Sequence, residues 1–214
     1  PYFAEAYWMD KRQYNSLLNA SLKYGLMVII PGMIGLFVLR KELITLLSGS
    51  AYIAAAPVLV ALLFYPLFGF LTGLGNYGLM VKDLTKFTAA QYFVGVVLNI
   101  GLNLFLIPRY GAIGAAISTV LSFFVMAMTS LYRSGSFSAV NYKFVRLPQI
   151  IISAVLMGAI ISFIHPTTAI WKILTLLIGG VIYFILLLVT RVLNQNETKL
   201  IRSLLFSFFK LWKF

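Results

Sequence analysis

The sequence predicts an all-α fold, a polytopic bundle of membrane-spanning helices. Of its 214 residues, 61% are hydrophobic and 10% are charged, whereas soluble domains have ~45–50% apolar and ~25% charged residues. Long uncharged runs separate the five acidic residues. Only helices and closed barrels satisfy the backbone in lipid. Because the alternating ~10-residue segments of a barrel are absent, a helical bundle is the expected fold.

Six runs are apolar enough to cross a bilayer, which takes ~20 residues in a helix. The predicted transmembrane helices are Tyr24–Leu47, Tyr52–Leu79, Phe87–Ile107, Ile113–Tyr132, Leu147–Ile164 and Ile170–Leu193. The break at Pro108-Arg109-Tyr110-Gly111 predicts a tight hairpin between the third and fourth spans.

Basic residues divide unequally between the two sides of this topology. One side holds Lys11, Arg12, Lys23, Lys82, Lys86, Arg133, Lys143, Arg146, Arg191, Lys199, Arg202, Lys210 and Lys213, and the other holds Arg40, Lys41, Arg109 and Lys172. Positive residues accumulate in cytoplasmic loops. We therefore expect a multi-pass protein of the cell membrane with both ends of this chain in the cytoplasm. The net charge of +12 follows from this topology and does not indicate nucleic-acid binding.

The two ends of the chain differ in character. The chain begins at Pro1 without a methionine, which favours the C-terminal part of a longer protein. Residues 194–214 predict a basic amphipathic helix, with apolar and basic side chains on different faces. Such helices lie in the membrane interface, so we expect an anchor; a partner-binding helix is the alternative. Asn196 is the expected N-cap.

No span interior contains Asp, Glu, His or Cys, so we expect no catalytic residue, no metal site and no cofactor. His165 lies at a span end. Gly73, Gly75 and Gly78 match the dinucleotide fingerprint G-x-G-x-x-G. That fingerprint needs a preceding strand, whereas these glycines end a membrane span, where we expect them to allow close helix packing or to loosen the helix end.

A polar stripe runs along the third span. Its members, spaced by four residues on one helix face, are Gln91, Gly95, Asn99 and Asn103. The fourth span carries a matching ridge of small residues, Gly114, Ser118, Ser122 and Ser130. Such residues bring helices close and hydrogen-bond between them. Interhelical bonding is the first interpretation, and a substrate-cavity wall formed by Gln91, Asn99 and Asn103 is the second.

Two prolines lie inside spans. Pro31 and Pro66 cannot donate to the carbonyl one turn earlier, and each favours a kink. They are candidate hinges of a transporter whose helices bend between states.

Four segments carry a resemblance to a known family. They are "KYGLMVIIPGMIGLFVLRKELITLLSG", "SAYIAAAPVLVALLFYPLFGF", "NYGLMVKDLTK" and "NIGLNLFLIPRYGAIGAAISTV". In order and spacing they resemble the C-terminal half of the polysaccharide transporter family, the lipid-linked oligosaccharide flippases of the multidrug/oligosaccharidyl-lipid/polysaccharide exporter superfamily. The resemblance covers residues 1–133.

This resemblance implies two six-helix lobes around a central cavity, in which a polyprenyl-linked glycan is flipped by alternating access. This chain would be the C-terminal lobe. Residues 1–134 would supply four spans after the end of a missing span, 135–193 two additional spans, and 194–214 the tail. Its partners would be membrane lipid, the glycan substrate and a missing N-terminal lobe, with no nucleic acid. Lys23, Lys82 and Lys86 are candidates for contacting lipid head groups on the cytoplasmic side.

The expected function is therefore transport and not catalysis. A cation-coupled multidrug exporter of the same superfamily is the alternative. A membrane glycan polymerase or ligase ranks below both, because the predicted outer loops are short.

Overall fold

The computed structural model describes residues 2–164, 166, 168–193 and 197, and these contain helices and turns but no β-strand. The α-helices are α1 (Tyr2–Met9), α2 (Lys11–Val38), α3 (Arg40–Leu47), α4 (Ala56–Leu62), α5 (Tyr65–Val81), α6 (Thr85–Ser134), α7 (Ser136–Ala139), α8 (Tyr142–Val145), α9 (Leu147–Ser162) and α10 (Ala169–Val189). A 3-10 helix, Ser50–Ala55, leads into α4. The predicted all-α class is confirmed. The predicted tail helix, with Asn196, lies outside the described residues except for Glu197, and so does His165.

Five helical stretches are long and apolar enough to cross a membrane: Lys11–Val38, Ser50–Val81, Thr85–Ser134, Tyr142–Ser162 and Ala169–Val189. The third contains 50 residues. As a straight helix it would be about 75 Å long, more than twice the ~30 Å of hydrocarbon. It bends back at Gly111, so it accounts for two of the six predicted spans.

The reversal in α6 depends on one glycine. Gly111 has φ 56° and ψ −133°, a conformation that side chains with a Cβ rarely adopt. A Cβ added to Gly114 would lie 2.3 Å from the carbonyl oxygen of Leu106, although eight residues of straight helix would hold these positions about 12 Å apart. The first arm of α6 (85–110) and its second arm (112–134) are therefore antiparallel. The predicted hairpin is present, but helix continues through Pro108, and the chain turns at Gly111 alone.

The two span prolines have different consequences. Helix α2 runs unbroken through Pro31. At Pro66 the second span is interrupted, because α4 ends at Leu62 and α5 begins at Tyr65 with the proline in its first turn. A proline fits the first helical turn, where its missing N–H has no partner to lose.

The core lies where α2 packs against α9 and α10. Its buried apolar residues include Leu18, Leu22 and Leu26 of α2, Ile150, Ala154 and Met157 of α9, and Leu187 of α10. The last two spans therefore pack against the first span of this chain.

Helices α5 and α6 approach each other at small residues. A Cβ added to Gly75 would lie 2.7 Å from the main-chain carbonyl carbon of Ser130, and one added to Gly78 would lie 2.8 Å from the Cβ of Ser134. Neither contact leaves room for a side chain, because interiors are already close-packed. These two glycines therefore act as packing surfaces, as the sequence predicted.

Gly75→Ala should destabilise the full-length protein by about 1–3 kcal/mol, because overpacking forces the two helices apart. Gly73→Ala is the matched control, since nothing lies within 4 Å of a Cβ built at Gly73. The thermal unfolding midpoint in detergent measures both changes. Equal midpoints for the two variants would contradict the proposed contact.

Candidate functional site

Gln91 is the most deeply buried side chain of the polar stripe. It is 6% exposed, and its Nε2 donates to the main-chain carbonyl of Met126 at 2.7 Å. Next along the stripe, Gly95 faces the Met126 side chain, whose sulfur would lie 2.3 Å from an added Cβ. This end of the stripe joins the two arms of α6 to each other, in line with interhelical bonding.

Asn99 and Asn103 behave differently. Both are partly exposed, and the Nδ2 of Asn103 donates to the Oδ1 of Asn99 at 3.0 Å within the same helix. Their bond therefore does not link helices. Among the described residues, the Oδ1 of Asn103 and the Oε1 of Gln91 are buried acceptors without a partner. A buried acceptor left unpaired costs ~1–3 kcal/mol, so these two oxygens are the polar atoms of the stripe that the packing leaves unsatisfied.

The serine hydroxyls of the ridge on the second arm donate hydrogen bonds within their own helix. Ser118 donates to the carbonyl of Gly114 at 2.9 Å, and Ser122 donates to that of Ser118 at 2.8 Å. Ser130 donates to the carbonyl of Ala127 at 3.1 Å. Interhelical hydrogen bonds were the sequence-based expectation for this ridge, and that expectation is wrong for these three hydroxyls. Serine hydroxyls readily bond to the preceding helical turn, so the ridge contributes close packing alone.

A fourth amide adjoins the stripe. The Nδ2 of Asn76 on α5 donates to the hydroxyl of Tyr92 on the first arm of α6 at 3.2 Å, and the Oδ1 of Asn76 is buried without a partner. The sequence analysis did not select Asn76, because it lay inside the false dinucleotide fingerprint. The available signal was its position one residue after Gly75, on a helix face that packs against α6.

The three candidate head-group lysines have separate environments. Lys23 is fully buried, and its Nζ lies 2.7 and 2.9 Å from the carboxylate oxygens of Glu197. Lys82 donates to the main-chain carbonyl of Ser134 at 2.6 Å. Lys86 is exposed. In this arrangement Lys23 has a carboxylate where a lipid phosphate would have to bind, whereas Lys86 extends outward.

Further contacts enclose the Lys23–Glu197 ion pair. The hydroxyl of Tyr24 donates to Glu197 at 2.6 Å, and the ammonium group of Lys23 lies 5.0 Å from the centre of the Phe144 ring. The pair joins α2 to a residue beyond α10, 174 positions away in sequence. Its first consequence is structural, because it fastens the end of the last span to the beginning of the first.

No group of three His, Cys, Asp or Glu residues in the described part of the chain is placed to hold a metal ion. The chemistry of the stripe is that of neutral amides, which suits hydrogen bonding to uncharged polar groups.

Two curated proteins resemble the chain, although no protein-family model matches it. One, from Haloferax volcanii, is named "Probable low-salt glycan biosynthesis flippase Agl15"; it is 24% identical over 183 residues, covering 86% of this chain and 38% of the relative. The uncharacterized membrane protein MJ1068 of Methanocaldococcus jannaschii is 28% identical over 170 residues, covering 75% of this chain and 32% of that protein.

A solved structure shares the fold. The chain matches "Lipid II flippase MurJ, inward closed conformation" with a TM-score of 0.68 and 22% sequence identity, over 86% of this chain and 40% of that one. The chain therefore spans about two fifths of the length of these proteins or less. The resemblance to polysaccharide transporters is confirmed: the chain is related in sequence to a glycan flippase, and its fold is that of a lipid II flippase.

Glu197→Gln should lower the free energy of unfolding by about 3–5 kcal/mol, because it leaves Lys23 buried and charged without its partner. The double variant Lys23→Met with Glu197→Leu should recover most of that loss, since it removes both charges. Lys86→Gln, at an exposed position, should stay within about 0.5 kcal/mol of wild type. Denaturant titration of the full-length protein in micelles measures all three. A Glu197→Gln variant as stable as wild type would show that the ion pair contributes little to the free energy of unfolding.

Proposed function

We propose that this chain, a relative of the glycan flippases in sequence and in fold, forms the C-terminal lobe of a transporter for lipid-linked oligosaccharides. The observation that carries the proposal is the similarity to a glycan biosynthesis flippase over 86% of the chain. The multi-pass helical architecture agrees with it. The proposed function is the movement of a substrate across the membrane and not its chemical conversion.

The polar stripe would form part of the cavity wall. Asn99 and Asn103 are partly exposed, and their amides are suited to the hydroxyl groups of a glycan, which need hydrogen-bond partners when they leave water. Gln91 would support this wall from its buried position between the two arms. Asn99 would hold Asn103 in position through the bond between their side chains. Neutral amides bind hydroxyls without trapping them as a buried charge would, which suits a substrate that has to leave again.

The lobe carries no mid-span cation on the described helices that could receive the phosphate of a polyprenyl carrier. We infer that the N-terminal lobe binds this phosphate. Lys82 and Lys86 lie at the membrane boundary on the side where basic residues accumulate, which would be cytoplasmic. There they would attract anionic lipid head groups toward the cavity entrance.

Alternating access requires helices that bend. The interruption before Pro66 is the clearest candidate hinge, and Pro31 lies within a continuous helix. Bending at Pro66 would move α5 with the packed hairpin of α6, because Gly75 and Gly78 hold α5 tightly against the second arm. The stripe would then move as a unit with these helices.

Replacing Asn99 and Asn103 together by Leu in the full-length protein should reduce glycan export at least tenfold, while insertion into the membrane is retained. The reason is that the double variant removes the two partly exposed amides of the stripe but leaves the helix apolar enough to span the bilayer. Export is measured by complementation of a flippase-deficient strain, with the amount of protein in the membrane quantified in parallel.

The matched control is Ser118→Ala with Ser122→Ala, which removes two polar groups from the neighbouring helix. These hydroxyls bond within their own helix, so export should be unchanged. Normal export by the asparagine variant would exclude a direct role of the amides. Cation-dependent drug efflux without glycan export would favour the multidrug exporter.

A further inference from the structure

A basic pocket lies where the chain enters α9, at the boundary between a connecting segment and a membrane-crossing helix. Its volume is about 660 Å³, and it is lined by Tyr142, Lys143, Arg146, Leu147, Pro148 and Gln149. The guanidinium group of Arg146 donates to the main-chain carbonyl of Arg191. This bond joins the start of α9 to the segment that follows α10.

Hydrogen bonds hold the backbone around the pocket in a fixed conformation. Arg146 and Arg191 both have positive φ, at 53° and 55°, which costs free energy in residues other than glycine and persists only where the surroundings enforce it. The preceding loop is held to α2 by Asn19, which is 5% exposed. Its Oδ1 accepts from the N–H of Asn141 at 2.6 Å, and its Nδ2 donates to the carbonyl of Ala139 at 2.8 Å. The segment that presents Lys143 and Arg146 is therefore fixed in place.

These cations have no carboxylate partner within the described ranges. The ion pair found there joins Lys23 to Glu197, and none involves Lys143, Arg146 or Arg191. Like charges held close together repel one another. The cluster would gain stability from an anion that the described residues do not supply.

An apolar groove continues from the basic pocket into the membrane region. It has a volume of about 530 Å³ and shares Tyr142 and Leu147 with the pocket. Further along it is lined by side chains of α2, α5, the second arm of α6 and α9, among them Leu26, Leu71, Leu131 and Ile151. A charged pocket that opens at the interface into an apolar channel has the two-part character of a phospholipid.

We propose that this pocket and groove bind one anionic phospholipid. Its phosphate lies against Lys143 and Arg146, and one acyl chain follows the groove that α2, α5 and the second arm of α6 enclose beside the start of α9. Charge complementarity identifies the occupant, because basic pockets between membrane helices bind anionic head groups and guanidinium groups bind phosphate with paired hydrogen bonds. The site does not depend on what the full-length protein transports.

The test measures lipid retained by the purified full-length protein after reconstitution with mixtures of phosphatidylcholine and phosphatidylglycerol. Native mass spectrometry counts the bound phosphatidylglycerol. Lys143→Gln with Arg146→Gln should reduce it roughly tenfold, since each basic residue near the surface contributes a comparable share. Lys11→Gln with Arg12→Gln removes the same charge from exposed positions on the same predicted side of the membrane, and should leave retention unchanged.

Two further experiments identify the occupant of the groove. Ile151→Trp fills the groove without changing charge and should also reduce retention, whereas inorganic phosphate should not compete with the lipid. A photoreactive benzophenone amino acid at position 151 should form an adduct with the mass of the phospholipid. Unchanged retention in the Lys143/Arg146 variant, competition by free phosphate, or an adduct with another part of the protein would each overturn the proposal.

Discussion

The close approach of helix backbones at small residues is the constraint on which this structure depends. Lipid chains are as apolar as the side chains they surround, so helices gain little from hydrophobic burial and associate through dispersion and hydrogen bonds at short range. Gly75 and Gly78 meet Ser130 and Ser134, and Gly114 meets the backbone of Leu106. These contacts hold α5 and the two arms of α6 as one unit. The direction in which the polar stripe faces follows from that packing.

Given this packing, the polar side chains have three different tasks. The serines of the second arm bond to carbonyls of their own helix, and their small side chains allow the neighbouring helix to pack closely. Gln91 ties the two arms together, while Asn99 and Asn103 bond only to each other. The free acceptors of Gln91 and Asn103 are therefore the part of the stripe that packing does not explain. The proposed cavity wall would use Asn99 and Asn103, the two partly exposed amides of the stripe, whereas the Gln91 oxygen is buried.

Charge is distributed by a separate rule. Lys23 is compensated inside the protein by Glu197, whereas Lys143 and Arg146 lie together at the entry to α9 beside an apolar groove. In the proposed arrangement, neutral amides lie along the substrate path of this lobe and the uncompensated cations lie at the interface, where lipid phosphate is available.

The sequence by itself determined the helical class, the six apolar spans, the polar stripe and the hairpin, because each of these depends on composition or on neighbours within a few residues. It also indicated that Gly75 and Gly78 serve packing. Only the tertiary structure decided which polar groups are satisfied. It paired Lys23, a head-group candidate from the sequence, with Glu197, which lies 174 positions away in the sequence. It also brought Asn76 to Tyr92 and joined Arg146 to the end of α10. Such partners lie on different helices, and helical periodicity gives the face of a residue without giving the helix that it meets.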